Sequence, residues 1–190
     1  MLRCKKTMKC ALHLHTNLSD GAYSPEELIR VYADLGFGCV CITDHDFLLR
    51  DDYVRRVLGC RRRGLLVLAG VEADYEPWHH HHLVRVMGEK ETLHILAHPS
   101  AYYLSVADVN RRLKSEPFPI EAVEVTHRGF YTPDFDIPEI EAVKVASDDA
   151  HEPHDCGRAW VEVPDTTDPD RVIRSVRAGD CALRFYRNSR

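Results

Sequence analysis

Short apolar runs of strand length recur along the chain, separated by stretches of helical period or by turn residues. Lys9 to His15 reads as a first strand, and residues two apart on a strand share a side, so His13 and His15 leave its end together with Asp20 a few residues into the loop. Ser24-Pro25-Glu26-Glu27 predicts a helix start: serine caps the free amides, proline suits the first turn and the glutamate completes a capping box. Leu28, Ile29, Val31, Tyr32 and Leu35 supply its apolar face up to a stop at Gly36. Residues 38–43 are apolar on both faces, which predicts a buried parallel strand. A basic helical segment follows over 51–63, with Val54, Val57 and Leu58 toward the core. Further strands are expected at 65–72, 83–87, 93–97, 120–126, 142–147 and 159–163, and helices at 105–114 and 168–178. The repeating units predict an α/β fold with a parallel sheet or barrel, in which reactive residues gather at the carboxyl ends of strands.

The polar residues fall at those ends. The first run stops at His13 and His15, the second at Asp44-His45-Asp46 and the third at Glu72. Later runs stop at His98-Pro99, at His127 and at Asp148-Asp149-Ala150-His151. A lone histidine at a strand end is more often a hydrogen-bonded structural residue than a ligand. Six strand ends carrying His, Asp or Glu are hard to obtain from solvation alone. Imidazole nitrogens mixed with carboxylate oxygens suit zinc, manganese or iron.

Composition narrows the setting. The 190 residues, 44% of them hydrophobic, are enough for one domain with a substantial core, expected to span 1–190 with an extension at 1–8 and a core at about 9–180. The net charge of −5 comes from scattered charges, so no broad nucleic-acid footprint is visible, although a nucleic-acid end remains a possible substrate. No run approaches the roughly 18 apolar residues of a membrane span, and no signal-peptide pattern opens the chain. The seven cysteines contain no Cys-x-x-Cys pair, and Cys10, Cys39 and Cys41 sit inside apolar runs, so they read as small buried hydrophobes in a reducing cytoplasm.

Taken in order, His13-Leu14-His15 with Ser19-Asp20-Gly21, Ile42-Thr43-Asp44-His45-Asp46, Gly70-Val71-Glu72, Leu96-Ala97-His98-Pro99 and Ser147-Asp148-Asp149-Ala150-His151 resemble the motifs of the PHP family, named for polymerase and histidinol phosphatase. The resemblance implies a distorted (β/α)7 TIM-like barrel with two or three divalent metals at the carboxyl ends of its strands. By the same resemblance His13, His15, Glu72 and an Asp of the last motif hold one metal. Glu72 bridges to a second metal held by His98 and His127, and Asp20, His45 and His151 complete a third site. Many relatives read Ser-Asp-x-His in the last motif, and the extra Asp here leaves Asp148 and Asp149 as candidates. Asp149 is favoured, because an Asp-x-His pair places both side chains on one side of extended backbone.

Such a cluster lowers the pKa of a bound water and stabilises charge developing at phosphorus, so hydroxide attack on a phosphoester is the natural reaction. The expected substrate is a small phosphomonoester, a nucleotide or a short oligonucleotide end. Glu72, His82 and Arg128 are the expected catalytic residues. By the resemblance, the histidine at the start of the strand after Glu72 comes close to the site, and His82, last of the run His79 to His82, fits that place as an acid or phosphate contact; otherwise it is part of a solvated loop. Arg128 either forks onto phosphate oxygens or lies on the surface, and Arg158 is a weaker candidate of the same kind. Asp44 either orients a ligand or fixes its turn. His94 is expected to be structural, as is His154. Two alternatives stand beside the phosphoesterase: a PHP module that has lost catalysis and serves as an accessory or interaction domain, and a metal-dependent amidohydrolase-like enzyme.

Overall fold

A computed structural model describes residues 6–78, 80–115 and 117–186. His79, the first of the four-histidine run, therefore lies outside the described residues, as do Met1 to Lys5 of the expected extension. Eleven strands and four α-helices are present among the described residues. The strands are β1 (Thr7–Ala11), β2 (Cys39–Ile42), β3 (Leu66–Tyr75), β4 (His81–Met87), β5 (Thr92–Leu96), β6 (Ala122–Glu124), β7 (Thr126–His127), β8 (Phe130–Tyr131), β9 (Val143–Val145), β10 (Ala159–Pro164) and β11 (Ala182–Phe185). The helices are α1 (Pro25–Asp34), α2 (Tyr53–Gly59), α3 (Val106–Ser115) and α4 (Pro169–Arg177).

Nine strands form one sheet in the order β11-β10-β1-β2-β3-β4-β5-β6-β9, and its two edge strands approach each other, so the sheet curls into a nearly closed, distorted α/β barrel. It is not wholly parallel as expected. β1, β2 and β3 run parallel, as do β5, β6 and β9, but β4 is antiparallel to both neighbours and β10 is antiparallel to β1 and β11. The short connections explain β4: only a few residues separate it from β3 and from β5, too few for the crossover that a parallel pairing requires.

Two-sided burial follows from period two. In β2, Cys39 and Cys41 join Cys10, Leu12 and Val84 on the inner face, where α4 inserts Val172, Ile173 and Val176. Val40 and Ile42 face the other way, against Leu28, Ile29 and Tyr32 of α1 and Tyr53 and Val57 of α2. Beyond β5 and β6, Leu83, Leu96 and Val123 pack with Val109 of α3. Helix α1 begins where the sequence predicts, with the Ser24–Glu27 capping box intact. Helix α2 is shorter than expected, and Val54 and Leu58 point outward; with only seven residues it buries one i, i+4 pair, Tyr53 and Val57. Leu35 is likewise exposed rather than on the packed face of α1. No helix among the described residues is long and apolar enough to cross a membrane.

Candidate metal centre

The carboxyl ends of β1, β2, β5, β6 and β9 open on one rim of the barrel, with Glu72 inside β3 at the same level. β1 ends at Ala11, and His13 and His15 lie beyond it on a segment where Leu14 bridges Ala150 and accepts from the Thr43 amide. Their side chains still emerge together, 1% exposed each. The turn carrying Asp20 closes tightly because Gly21 rests against the His15 carbonyl, where a Cβ would come within 2.5 Å of the oxygen. Asp44 fixes that turn: its carboxylate accepts from the Thr16 amide at 2.7 Å, the Thr16 hydroxyl at 2.8 Å and the Ser19 hydroxyl at 2.7 Å.

Around Glu72 the donor atoms crowd at one spacing. His13 Nε2 and His15 Nε2 are 3.1 Å apart, Glu72 lies 3.3 Å and 3.1 Å from them, and Asp149 Oδ1 lies 3.5 Å and 3.4 Å from them. Glu72 Oε1 is also 2.9 Å from His98 Nε2 and 2.7 Å from His82 Nδ1, while Glu72 Oε2 is 3.4 Å from His45 Nδ1. Asp20 meets His15 at 3.3 Å, His45 at 3.4 Å and His151 at 3.2 Å. Three groups have donor atoms all within 4.8 Å of one another: His13, Glu72, His98 and Asp149; His15, Asp20, His45 and His151; and His45, Glu72 and His82. His127 is in none of them; its ring stands 6.0 Å from that of His98, on the wall of the same pocket.

These residues fit divalent ions. Ligands about 2.0–2.2 Å from a tetrahedral ion lie roughly 3.3–3.6 Å from one another, close to the 3.1–3.5 Å by which His13 and His15 stand from each other and from Glu72 and Asp149. Asp149 Oδ1 is buried without a hydrogen bond even though imidazoles surround it, and Nδ1 of His98 is orphaned too. The electrostatics agree. Burial alone would disfavour a charged ring at His13, yet the carboxylates of Glu72, Glu124 and Asp149 outweigh it and hold its pKa well above the ordinary value. His15 and His98 are raised by the same contest, whereas Glu72, Asp149 and Asp20 are lowered because the neighbouring imidazoles overcome their desolvation. His45 and His127 go down, mainly through burial.

The two aspartates of the last motif part company. Asp149 faces the cluster, while Asp148 turns under the rim to accept from Tyr32 Oη, the Gly157 amide and the Ala159 amide at 2.5, 2.7 and 2.7 Å. Desolvation lifts the Asp148 pKa to about 6. The reason is not the extended backbone that the sequence suggested: Asp149 has φ of 49°, a left-handed conformation.

His82 reaches the pocket because β4 is antiparallel, which brings its first residues, with His82 opposite Asp74, to the rim where the parallel strands end. Of its neighbours, His80 pairs with Asp74 and His81 stacks on Tyr102 at 4.1 Å. Arg128 also lines the pocket, at the tip of the β7–β8 hairpin, where it and Gly129 both have positive φ, as a two-residue hairpin turn demands. Arg158 is engaged elsewhere, on Asp155, on the Arg128 carbonyl and over the Phe130 ring. His94 stacks on Phe118 and His154 is exposed.

Glu124 is the buried residue that sequence reasoning passed over. It lies 3.3 Å from His13 Nδ1, accepts from the His98 amide at 2.9 Å and from the Ser147 hydroxyl. Its signal was available: a lone carboxylate inside the apolar run Val123-Glu124-Val125 needs buried partners.

The pocket encloses about 260 Å³. Residues 11–135 match the PHP domain profile and residues 142–181 match a profile described as PHP-associated. The 5'-3' exoribonuclease Rnm of Salmonella typhimurium is 29% identical over 117 residues, which cover 61% of this chain and 38% of that protein's length. Among solved structures, a two-domain protein of Bacteroides vulgatus containing a predicted PHP-like metal-dependent phosphoesterase aligns with TM-score 0.68 and 17% identity, over 96% of this chain and 66% of that one. PsfC of Pseudomonas syringae aligns with TM-score 0.70 and 12% identity, over 97% and 93%. The profile match spans most of the chain and takes in the motifs from His13 to His127, and the chain belongs to the PHP domain family.

Proposed function

We propose that this chain is a metal-dependent phosphoesterase acting on a small phosphomonoester, a nucleotide or the end of a short oligonucleotide. The observation that carries the reading is the set of 3.1–3.5 Å separations of His13 and His15 from each other and from Glu72 and Asp149, the spacing of groups that share an ion. Two or three ions, zinc, manganese or iron, fit the mixed nitrogen and oxygen donors. His13, His15, Glu72 and Asp149 would hold the first; Glu72 and His98 would contribute to a second; Asp20, His45 and His151 would hold a third. His127 stands beside the second as a wall residue. The place of His82 on Glu72 favours holding an ion over donating a proton. Bound ions supply a water of lowered pKa and positive charge for phosphate oxygens.

The protein's own part is positioning. Glu72 would be shared between ions, Arg128 lines the pocket and would fork onto the phosphate, and the 260 Å³ pocket would admit a phosphoryl group with the first part of its alcohol. In the reaction a P–O ester bond breaks, the water oxygen bonds to phosphorus and the departing alkoxide takes a proton. The similarity to a protein named an exoribonuclease favours nucleotides among phosphate esters. Free cysteines at Cys10, Cys39, Cys41, Cys60, Cys156 and Cys181 support a cytoplasmic setting.

The test pairs elemental analysis with a panel of nucleotides, sugar phosphates, histidinol phosphate, p-nitrophenyl phosphate and amides. Phosphate-ester turnover is expected, and E72Q is expected to lose metal and turnover together. Amide hydrolysis without phosphatase activity, or an E72Q protein with unchanged metal content and rate, would overturn the reading.

A further inference from the structure

The hydrolysis proposed above leaves one proton without a source, the one that the departing alkoxide takes. Most side chains that line the pocket belong to the three groups spaced for ions, and Arg128 keeps its protons at any working pH. Tyr102 and His127 remain. Tyr102 ends a single 3-10 turn over Pro99–Tyr102, and the residues on either side of that turn, His98 and Tyr103, both have positive φ, 21° and 53°. Two adjacent tyrosines part company there: Tyr103 is 95% exposed, whereas Tyr102 lines the pocket. The Tyr102 ring is held on three sides, stacked on His81 at 4.1 Å with the planes 9° apart, 5.8 Å from the His82 ring and 5.4 Å from the His98 ring. Its Oη is held as well. It accepts from the His82 amide at 3.2 Å, and among the described residues nothing accepts the hydroxyl's own proton. The antiparallel course of β4 thus does two things at the rim: it sets His82 Nδ1 2.7 Å from Glu72 and gives the His82 amide to Tyr102.

We propose that the Tyr102 hydroxyl is the proton donor to the leaving oxygen of the ester. The proposal rests on the phosphoesterase reading and names a catalytic residue for it. When the P–O ester bond breaks, its electron pair goes to the departing oxygen, the proton on Tyr102 Oη passes to that oxygen, and the alcohol leaves neutral. The tyrosinate then recovers a proton from solvent, matching the one that the attacking water gives up. A phenol suits the task, because it holds its proton at neutral pH and is still a far stronger acid than an alcohol. With ring and oxygen both held, the donor needs no rearrangement before the transfer. The need for it depends on the leaving group: an alkoxide is too basic to depart readily without a proton, whereas p-nitrophenolate is a stable anion.

The experiment compares wild type, Y102F, Y103F and H127N, each checked for metal content and melting curve, on adenosine 5′-monophosphate, phenyl phosphate and p-nitrophenyl phosphate. In Y102F the loss of kcat on the nucleotide should exceed the loss on p-nitrophenyl phosphate by about a hundredfold, the lower end of what a positioned acid supplies, with phenyl phosphate between the two. Y103F should match wild type on all three. Orthovanadate, which mimics the five-coordinate transition state and places an oxygen where the leaving group stands, reads the contact without turnover. In Y102F the ratio of its affinity to that of inorganic phosphate, both measured by calorimetry, should fall about tenfold, the size of one charge-assisted hydrogen bond. Equal losses on every ester that is turned over would show Tyr102 to be structural and overturn the proposal alone, as would a leaving-group dependence that appears in H127N instead of Y102F. An unchanged ratio of vanadate to phosphate affinity overturns it as well, whether or not any ester is hydrolysed. A protein that hydrolyses none of the esters and binds neither anion fails the phosphoesterase reading, and the proposal falls with it.

Discussion

Glu124 touches two segments of the centre from beneath, at the His13 ring and the His98 amide. His13 places one ring nitrogen on Glu124 and the other among Glu72, His15 and Asp149. With Nδ1 against a carboxylate, the neutral ring keeps its proton there and turns the Nε2 lone pair toward the cluster. The same carboxylate seats the His98 amide, so two of the rings at Glu72 are set by one buried group. E124Q keeps the size and one oxygen but is a poorer acceptor for the His13 proton. Partners of this kind are worth about 10–100-fold in metal affinity. The expected result is a loss of that order in a chelator competition titration, with E124D recovering part of it; equal affinity in E124Q and wild type would show Glu124 to be structural only.

At the scale of elements, the sequence made the helix starts and the existence of most strands legible, because capping residues and apolar period are local. α1 opens at its Ser24 cap, and α4 follows its Asp168 cap. Strand direction was not legible, since an apolar run reads the same either way; β4 and β10 turned out antiparallel, and β11 and the β7–β8 hairpin went unseen. The motif residues gathered because their strands end at one rim, but Asp148 and Asp149 were separated by a backbone conformation that spacing alone does not reveal. Gly70 opens the motif that ends at Glu72, and the packing gives its reason. A Cβ there would lie 2.5 Å from the Arg85 carbonyl and 2.7 Å from Cys41 Sγ, so β3 sits between β2 and β4 only without a side chain. Two residues later the same strand delivers Glu72. G70A should cost about 1–3 kcal/mol of overpacking and lower Tm by roughly 2–12 °C, with loss of bound metal in excess of the loss of fold. Melting curves and elemental analysis check this, and an unchanged Tm would refute the close packing.

Across the whole molecule, the centre concentrates charge where a folded chain least tolerates it. Glu72, Glu124 and Asp149 are 5% exposed or less and come from β3, β6 and the segment after β9, on different sides of the sheet's curl. Buried carboxylates are costly unless paired, and in the metal-free protein the neighbouring imidazoles take up protons and balance them. Divalent ions would do this more completely and would tie the rim segments after β1, β2, β5 and β9 to β3. An ion that binds the folded chain and not the unfolded one adds RT ln(1 + [L]/Kd), about 2.7 kcal/mol at a hundredfold excess over Kd. For a chain of this length that is roughly 5–11 °C in Tm. Treatment with a chelator should therefore lower Tm by about that amount, and zinc or manganese should restore it in a concentration-dependent way. In E72Q the restoration should shrink, because the carboxylate shared by the groups is gone. Identical melting curves with and without chelator in wild type, for protein shown to carry metal beforehand, would mean that the ions sit outside this cluster.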